Sequence, residues 1–412
     1  MAIKRIKVSN FKSFKELDLR LGNFNVVVGA NASGKSNFIQ VFKFIRDISR
    51  HGLDNAISLQ GSEYLTNIGI GFPKTLSLQV VSDPGFGFGL TGSVLADVRE
   101  ATYEFMLRFK HTTTAFELMK DRLTLEVAYR RWQRGGGKPP KKGEGLGSGA
   151  ITIRNDNGTP RYSLKGARKL GIKASDVFPR LLREKVPAKS LLLSSPVFFF
   201  PPVQWAFGNV AIYDFDPKLS KQAVPVAGKI ELEENGSNLS LVLKSIVEND
   251  NKKRKFSNLI KDLLPFVDDL ATDKFADKSL LFKLRENYFP DVYFPGSFIS
   301  DGTVNVGALL IALYFEQKAL SIIEEPERNV HPHLISGLLG MMKDASRNKQ
   351  IIVTTHSPEV VKHAGLENLL FVSRDKEGYS SICRPREKQQ VKVFLENELG
   401  LDELFIDNLL GD

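Results

Sequence analysis

The chain has 412 residues, of which 42% are hydrophobic and 25% charged, with a formal net charge of +10. That composition is typical of a soluble globular protein long enough to bury a large core. The single cysteine, Cys383, excludes an internal disulfide framework and a cysteine zinc cluster. No apolar run approaches a membrane span, and MAIKRIKVSNF lacks the apolar stretch of a signal peptide, so a cytoplasmic protein with no membrane partner is expected.

Residues 3–29 alternate apolar and polar positions in two stretches, which predicts two strands ahead of residue 29. The β-branched run VVV then empties into GANASGKS. Gly29, four residues, then Gly34-Lys35-Ser36 fits a P-loop. Small residues let backbone N–H groups converge on a triphosphate, and the following helix adds its N-terminal dipole. Lys35 supplies charge at the β and γ phosphates, and the Ser36 hydroxyl is placed for Mg²⁺. NFIQVFKFI continues with helical spacing, which separates this motif from a chance glycine turn.

KTLSLQVV, ATYEFMLRF and RLTLEVAYRRW read as antiparallel strands of one sheet. RGGGKPPKKGEGLGSG (134–149) reads as a flexible loop, and AITIRNDNGTPRYSL as a hairpin turning at Asp156-Asn157-Gly158. Residues 130–189 hold 16 basic and 4 acidic residues, a balance of +12 that exceeds that of the whole chain. Such a block suits a phosphate polymer; a solvated insertion or a surface for an acidic protein are equal alternatives. SSPVFFFPPVQWAFGN (194–209) reads as core and turn or as a docking surface. SNLSLVLKSIV through NLIKDLLPFV reads as helical, broken near Pro265.

ALSIIEEPE and KQIIVTTHS read as buried parallel strands ending in polar chemistry. Glu324 and Glu325, adjacent at a strand tip, face opposite ways. Glu324 is assigned to the metal side and Glu325 to the general base that activates water. Alone, such a pair is only a charged strand end. His356, at the next strand tip, could bond a γ-phosphate or the attacking water. His331 and His333 lack a further ligand at metal-binding spacing. Ser300-Asp301-Gly302-Thr303 precedes a long apolar helix, as an anion-binding N-terminus or a plain cap.

In this order the parts resemble the ABC-type ATPases of the SMC/RecF/OLD clade, specifically the compact bacterial AAA-family group without long coiled coils. IKVSNFKSF looks like the clade's first strand, GANASGKS its Walker A loop, FPGSFISDGT its degenerate signature, LSIIEEPERNVHP its Walker B strand and D-loop, and IIVTTHSPEVV its switch-histidine strand. IYDFDP (212–217) and ENGSNLSLVL (234–243) resemble further phrases of the group. Glu324 stands where aspartate is usual in the broader family, as this group commonly has it.

The resemblance implies an α/β, ABC-ATPase-like head: a mixed or antiparallel β lobe, a helical lobe and a parallel P-loop core sheet. It implies one domain over 1–412, with a nucleotide-binding core at 1–130 and 300–412, a basic β-rich insertion at 130–230 and a helical lobe at 234–298. It further implies ATP and Mg²⁺ as cofactors. Gly29, Asn31, Gly34, Lys35, Ser36, Asn37 and Lys12 would meet the nucleotide, and Ser36 and Glu324 the metal, with Gln60 a candidate Q-loop ligand. Glu325 and His356 would be catalytic. Two copies would sandwich two ATP molecules, with Ser300, Asp301 and Gly302 of one completing the site of the other.

The implied job is a sensor or regulatory ATPase of anti-phage defence, Septu-like or PARIS-like, working as a homodimer or larger homo-oligomer with a separate nuclease or toxin. About fifty residues follow His356, too few for a nuclease domain. The alternative is a RecF- or SMC-like DNA-repair ATPase that uses residues 130–189. A transporter ATPase fits worst, given the degenerate signature and the absence of a clear Q-loop.

Overall fold

The computed structural model describes residues 2–90, 94–111, 115–131, 144–173, 185–187, 189–194, 207–275, 278–385 and 401–406. They form two compact units. One comprises Met1–Gly22, Ala32–Val210 and Ser373–Ile382; the other Asn23–Asn31, Ala211–Val372 and Cys383–Asp412.

The first unit is built on an eight-stranded sheet. Its strands are β1 (Ala2–Phe11), β2 (Phe14–Arg20), β4 (Lys74–Asp83), β5 (Phe86–Gly89), β6 (Val94–Phe109), β7 (Phe116–Arg131), β8 (Gly145–Asp156) and β9 (Thr159–Lys165). The order is β2-β1-β4-β6-β7-β8-β9, with β5 on β6, and every pairing is antiparallel. Period-2 patterning gives one buried face, carrying Phe105, Leu123, Leu125, Ile151 and Ile153. Helix α1 (Lys35–His51) packs on that sheet through Phe44, whose ring lies 5.8 Å from Phe11 and 6.4 Å from Phe105. A short α2 (Leu53–Leu59) follows. The β8–β9 turn uses Asn157 and Gly158, both with positive φ (50° and 84°), as a two-residue type I′ turn needs.

The second unit is built on a parallel core. β3 (Phe24–Val28), β10 (Val210–Tyr213), β15 (Leu320–Glu324), β16 (Gln350–Thr355) and β17 (Leu369–Arg374) run in the order β10-β15-β16-β3-β17. The pairings of β16 with β15 and of β3 with β16 and β17 are parallel. Helices cover such a sheet on both faces, so its strands are almost continuously buried: all of β3 and β16, and four of five residues of β15. The helices are α3 (Pro217–Ser220), α4 (Leu239–Val247), α5 (Asp250–Leu263), α6 (Asp301–Tyr314), α7 (Pro332–Ala345) and α8 (Pro358–Ala364). Helix α6 is apolar on all sides and buried from Thr303 to Leu313. A small sheet of β11 (Val224–Pro225), β12 (Val267–Phe275), β13 (Ser279–Glu286) and β14 (Tyr293–Pro295) completes the unit.

The fold is the α/β architecture the sequence implies, with four local differences. The opening segment holds three strands rather than two, because Gly22-Asn23 separates β2 from β3. The stretch expected as a helical lobe, 234–298, has two helices followed by three strands. Residue 130 falls at the end of β7, inside a continuous sheet. Residues 145–149, expected in the flexible loop, begin β8; residues 134–143 of that loop, and most of the aromatic-proline stretch 194–209, lie outside the described residues.

Candidate active site

The parallel register brings separate sequence motifs to one sheet edge. Glu324 pairs with Thr354, and Thr355 pairs with Val28, the residue directly before Gly29. The start of the P-loop, the double glutamate and the histidine strand therefore leave the carboxyl end of adjacent strands, where open α/β sheets bind ligands.

β15 ends at Glu324, and the chain turns sharply at Glu325. Its φ is +44°, and its N–H donates to Thr354 O at 2.9 Å. The turn aims the Glu325 carboxylate at His356 and Arg328. Oε1 lies 2.7 Å from His356 Nδ1, and Oε2 accepts from Arg328 Nη2 at 3.0 Å. Burial pushes this carboxyl up, but Arg328 and His356 outweigh it and hold the group below its ordinary range. Arg328 also donates to Asp214 at 2.9 Å. Asp214 follows β10 within the IYDFDP phrase, and its N–H donates to Glu234 O in the ENGSNLSLVL phrase.

Two residues on, Glu327 turns the other way. Its Oε1 accepts from Thr355 Oγ1, which itself accepts from Ser357 N at 2.9 Å. Its Oε2 is buried with no partner among the described residues. Burial raises this carboxyl above its usual range, and the neighbouring Glu325 charge adds to the effect. Glu324, at the tip of β15, offers the kind of hard oxygen ligand that Mg²⁺ takes alongside phosphate oxygens and water; among the described residues no three acidic, His or Cys side chains converge as a metal site by themselves.

Ser300 caps α6: its Oγ accepts from Thr303 N at 3.2 Å and meets Thr303 Oγ1 at 2.8 Å. Asp301 pairs with Lys221. A Cβ at Gly302 would collide with the carbonyl oxygen of Asn329, and Asn305 Nδ2 donates to Arg328 O at 2.8 Å. The absence of a side chain at Gly302 is thus required by packing within the chain. His331 caps α7, and its Nδ1 lies 2.7 Å from His333 Nδ1.

In the first unit, Gly34 has φ +116°, and a Cβ there would strike Ser380. Ser380, opening β18 (Ser380–Cys383), donates to Ser33 O at 2.7 Å and to Ser13 Oγ at 2.8 Å. Asn37 Nδ2 donates to Ser13 Oγ at 2.7 Å. Lys12, Ser13 and Asn37 line a cleft of about 310 Å³ with Tyr64, Thr66 and Arg374. Lys12 is half-buried, with Nζ 3.4 Å from Gln60 O; burial first, and Lys43 second, lower its pKa. The Gln60 side-chain amide is enclosed without a partner among the described residues.

Residues 178–362 match the family model described as "AAA domain, putative AbiEii toxin, Type IV TA system", and residues 1–83 match the model of an AAA ATPase domain. A solved SMC head bound to the C-winged helix domain of ScpA has the same fold (TM-score 0.50, 15% identity, 93% of this chain and 98% of that one). The SMC head domain from Thermotoga maritima covers 93% of this chain and 99% of its own at 16% identity, with a TM-score of only 0.43. The two family matches place AAA-type sequence in both the opening segment and the second half of the chain, and the likeness to the SMC head is one of fold. The uncharacterized protein MJECL43 of Methanocaldococcus jannaschii is 29% identical over 91 residues, which span 21% of this chain and 24% of that protein's length.

The edge of the parallel core brings together the ends of the strands that precede Gly29, carry Glu324 and Glu325, and precede His356. Asp214, Glu327, Arg328 and Ser380 were not singled out as site residues. Asp214 had a signal in the IYDFDP phrase, and Glu327 and Arg328 lay in the Walker B phrase. Ser380 had none. Among the described residues no helix is long and apolar enough to cross a membrane.

Proposed function

We propose that the protein hydrolyses ATP and uses the nucleotide state to switch its own dimer. The observation that carries this reading is the Glu325–His356 pair at the tip of β15, beside the strand that opens the P-loop. Gly29, Asn31, Gly34 and Lys35 hold the triphosphate, and Lys12 and Asn37 line the cleft suited to the rest of the nucleotide. Ser36 and Glu324 would hold Mg²⁺, which neutralises phosphate charge when bound. Glu325 Oε1 accepts the proton of the attacking water. His356, half-exposed at 2.7 Å, balances that carboxylate and orients it. Arg328 keeps Glu325 ionised before the reaction.

Ser300, Asp301 and Gly302 form the cap that a partner copy presents to the nucleotide. ATP then binds the closed dimer better than the open one, which is what a nucleotide switch requires. The toxin–antitoxin description of the matching family model is in keeping with a defence role; a separate nuclease or toxin as effector is part of this proposal. Light scattering with and without ATP tests the switch. Glu325→Gln is expected to stay dimeric in ATP, and Lys35→Ala to stay monomeric. A Glu325→Gln protein that remains monomeric in saturating ATP contradicts the reading.

A second reading, contact with nucleic acid, is favoured by one register. Arg122, Arg154 and Arg161 stand directly opposite one another on β7, β8 and β9. Like charges so placed repel. Arg122 is neutralised by Glu104, and Arg161 lies 3.6 Å from Asp156. The adjacent row on the same face is Thr102, Thr124, Thr152 and Ser163. Guanidinium and hydroxyl rows suit phosphate oxygens. Of the other basic residues, Arg134, Lys138, Lys141 and Lys142 lie outside the described residues.

A further inference from the structure

The two acids of the turn after β15 grip consecutive residues of the neighbouring strand end. Glu325 takes His356, and Glu327 takes Thr355. Thr355 is the last residue of β16, and its hydroxyl accepts from Ser357 N. One hydroxyl therefore ties the residue before His356 to the residue after it, and Glu327 ties that hydroxyl to the turn that carries Glu325. The turn has little freedom: Glu325 and Asn329 both hold positive φ, at +44° and +63°.

Glu327 is a costly residue to place there. Its second oxygen is buried and unpartnered among the described residues, and an enclosed carboxyl without full partners is destabilising. An apolar side chain would fill the space without that penalty. What an apolar side chain could not do is accept the Thr355 hydroxyl. Burial keeps the Glu327 proton on more readily than usual, which eases repulsion with Glu325 two residues away.

We propose that Glu327 is a positioning residue for hydrolysis: through Thr355 it fixes His356 against Glu325, so that the base is aimed before ATP arrives. This rests on Glu325 as base, and it assigns Glu327 no direct contact with the reacting atoms. Orientation of this kind acts on turnover and leaves nucleotide affinity alone.

The test is steady-state ATP hydrolysis by the full-length chain, with ¹³C-labelled histidine spectra as a second readout. Thr355→Val removes the hydroxyl at near-constant shape; kcat is expected to fall at least tenfold with KM within twofold of wild type. Thr355→Ser restores the hydroxyl and should recover most of the loss. Glu327→Ala should match Thr355→Val. Glu327→Gln keeps an oxygen acceptor and should stay within about threefold of wild type. The His356 ring resonances should shift in Thr355→Val and Glu327→Ala, and hold in Glu327→Gln. Wild-type kcat in folded Thr355→Val and Glu327→Ala, with Glu325→Gln inactive, overturns the inference and spares the base assignment. An active Glu325→Gln overturns both.

Discussion

The two units build specificity in opposite ways. The parallel core gathers groups that are far apart in sequence: Asp214, Glu325, Arg328 and His356 meet because buried strands all deliver their carboxyl ends to one edge. The antiparallel lobe spreads its chemistry across a face, where each row is set by register, as with Arg122, Arg154 and Arg161. A parallel edge therefore concentrates a site, whereas an antiparallel face makes a platform. Exact packing matters most in the first, and net charge and register in the second.

The comparison is broken most forcefully at Gly302. A methyl there meets the Asn329 carbonyl, in the turn that carries Glu325 and Arg328. Gly302→Ala is expected to cost about 2 kcal/mol, as overpacking does, and to reduce hydrolysis. Urea unfolding and turnover on one preparation check this. Wild-type values in both would show that the edge tolerates slack.

The antiparallel lobe offers a pH test at Asp121. This carboxyl is buried on β7 and accepts from Tyr103, Asn155 and Leu192 N, yet burial raises it to about 6. A raised acid binds its proton more tightly in the native state, so its stabilising contribution is lost as pH rises through 6. Going from pH 8 down to pH 5 should add about 1.4 kcal/mol, the equivalent of one pKa unit. Urea midpoints at the two pH values measure it, and Asp121→Asn should flatten the slope. A midpoint that falls toward pH 5 in the wild type contradicts the assignment.

The smallest effect is on the platform. Arg154→Ala/Arg161→Ala should weaken duplex DNA binding about fivefold and lower the salt slope by about 2, one unit per lost phosphate contact. Fluorescence anisotropy at two salt concentrations, with ATP hydrolysis unchanged, would sharpen the contrast. Unaltered affinity removes nucleic acid from this face.

What the sequence made legible follows the same division. β3, β15 and β16 could be read because continuous apolar runs ending in Gly, Glu and His have few other uses. Strands β4, β6 and β7 could be read from clean alternation. β12 could not: VDDLATDKF carries three aspartates and lies in the stretch expected as a helical lobe. It is held as a strand by cross-strand partners on β13 and β14, with Asp268 to Arg285, Asp273 to Lys283 and Asp269 to Tyr293. Such partners are invisible until the strands pair. Ser380 was illegible for the same reason, since only the fold brings it beneath Gly34. Glu327 was seen as part of a charged phrase, and its bond to Thr355 depended on a register that no local pattern encodes.

The central claim is that the carboxylate at the tip of β15 activates water. A single-turnover assay with Glu325→Gln and radiolabelled ATP addresses it most directly. ATP should bind with near wild-type affinity while phosphate release slows by at least a hundredfold, the loss expected for a general base. Phosphate release at the wild-type rate would contradict the account.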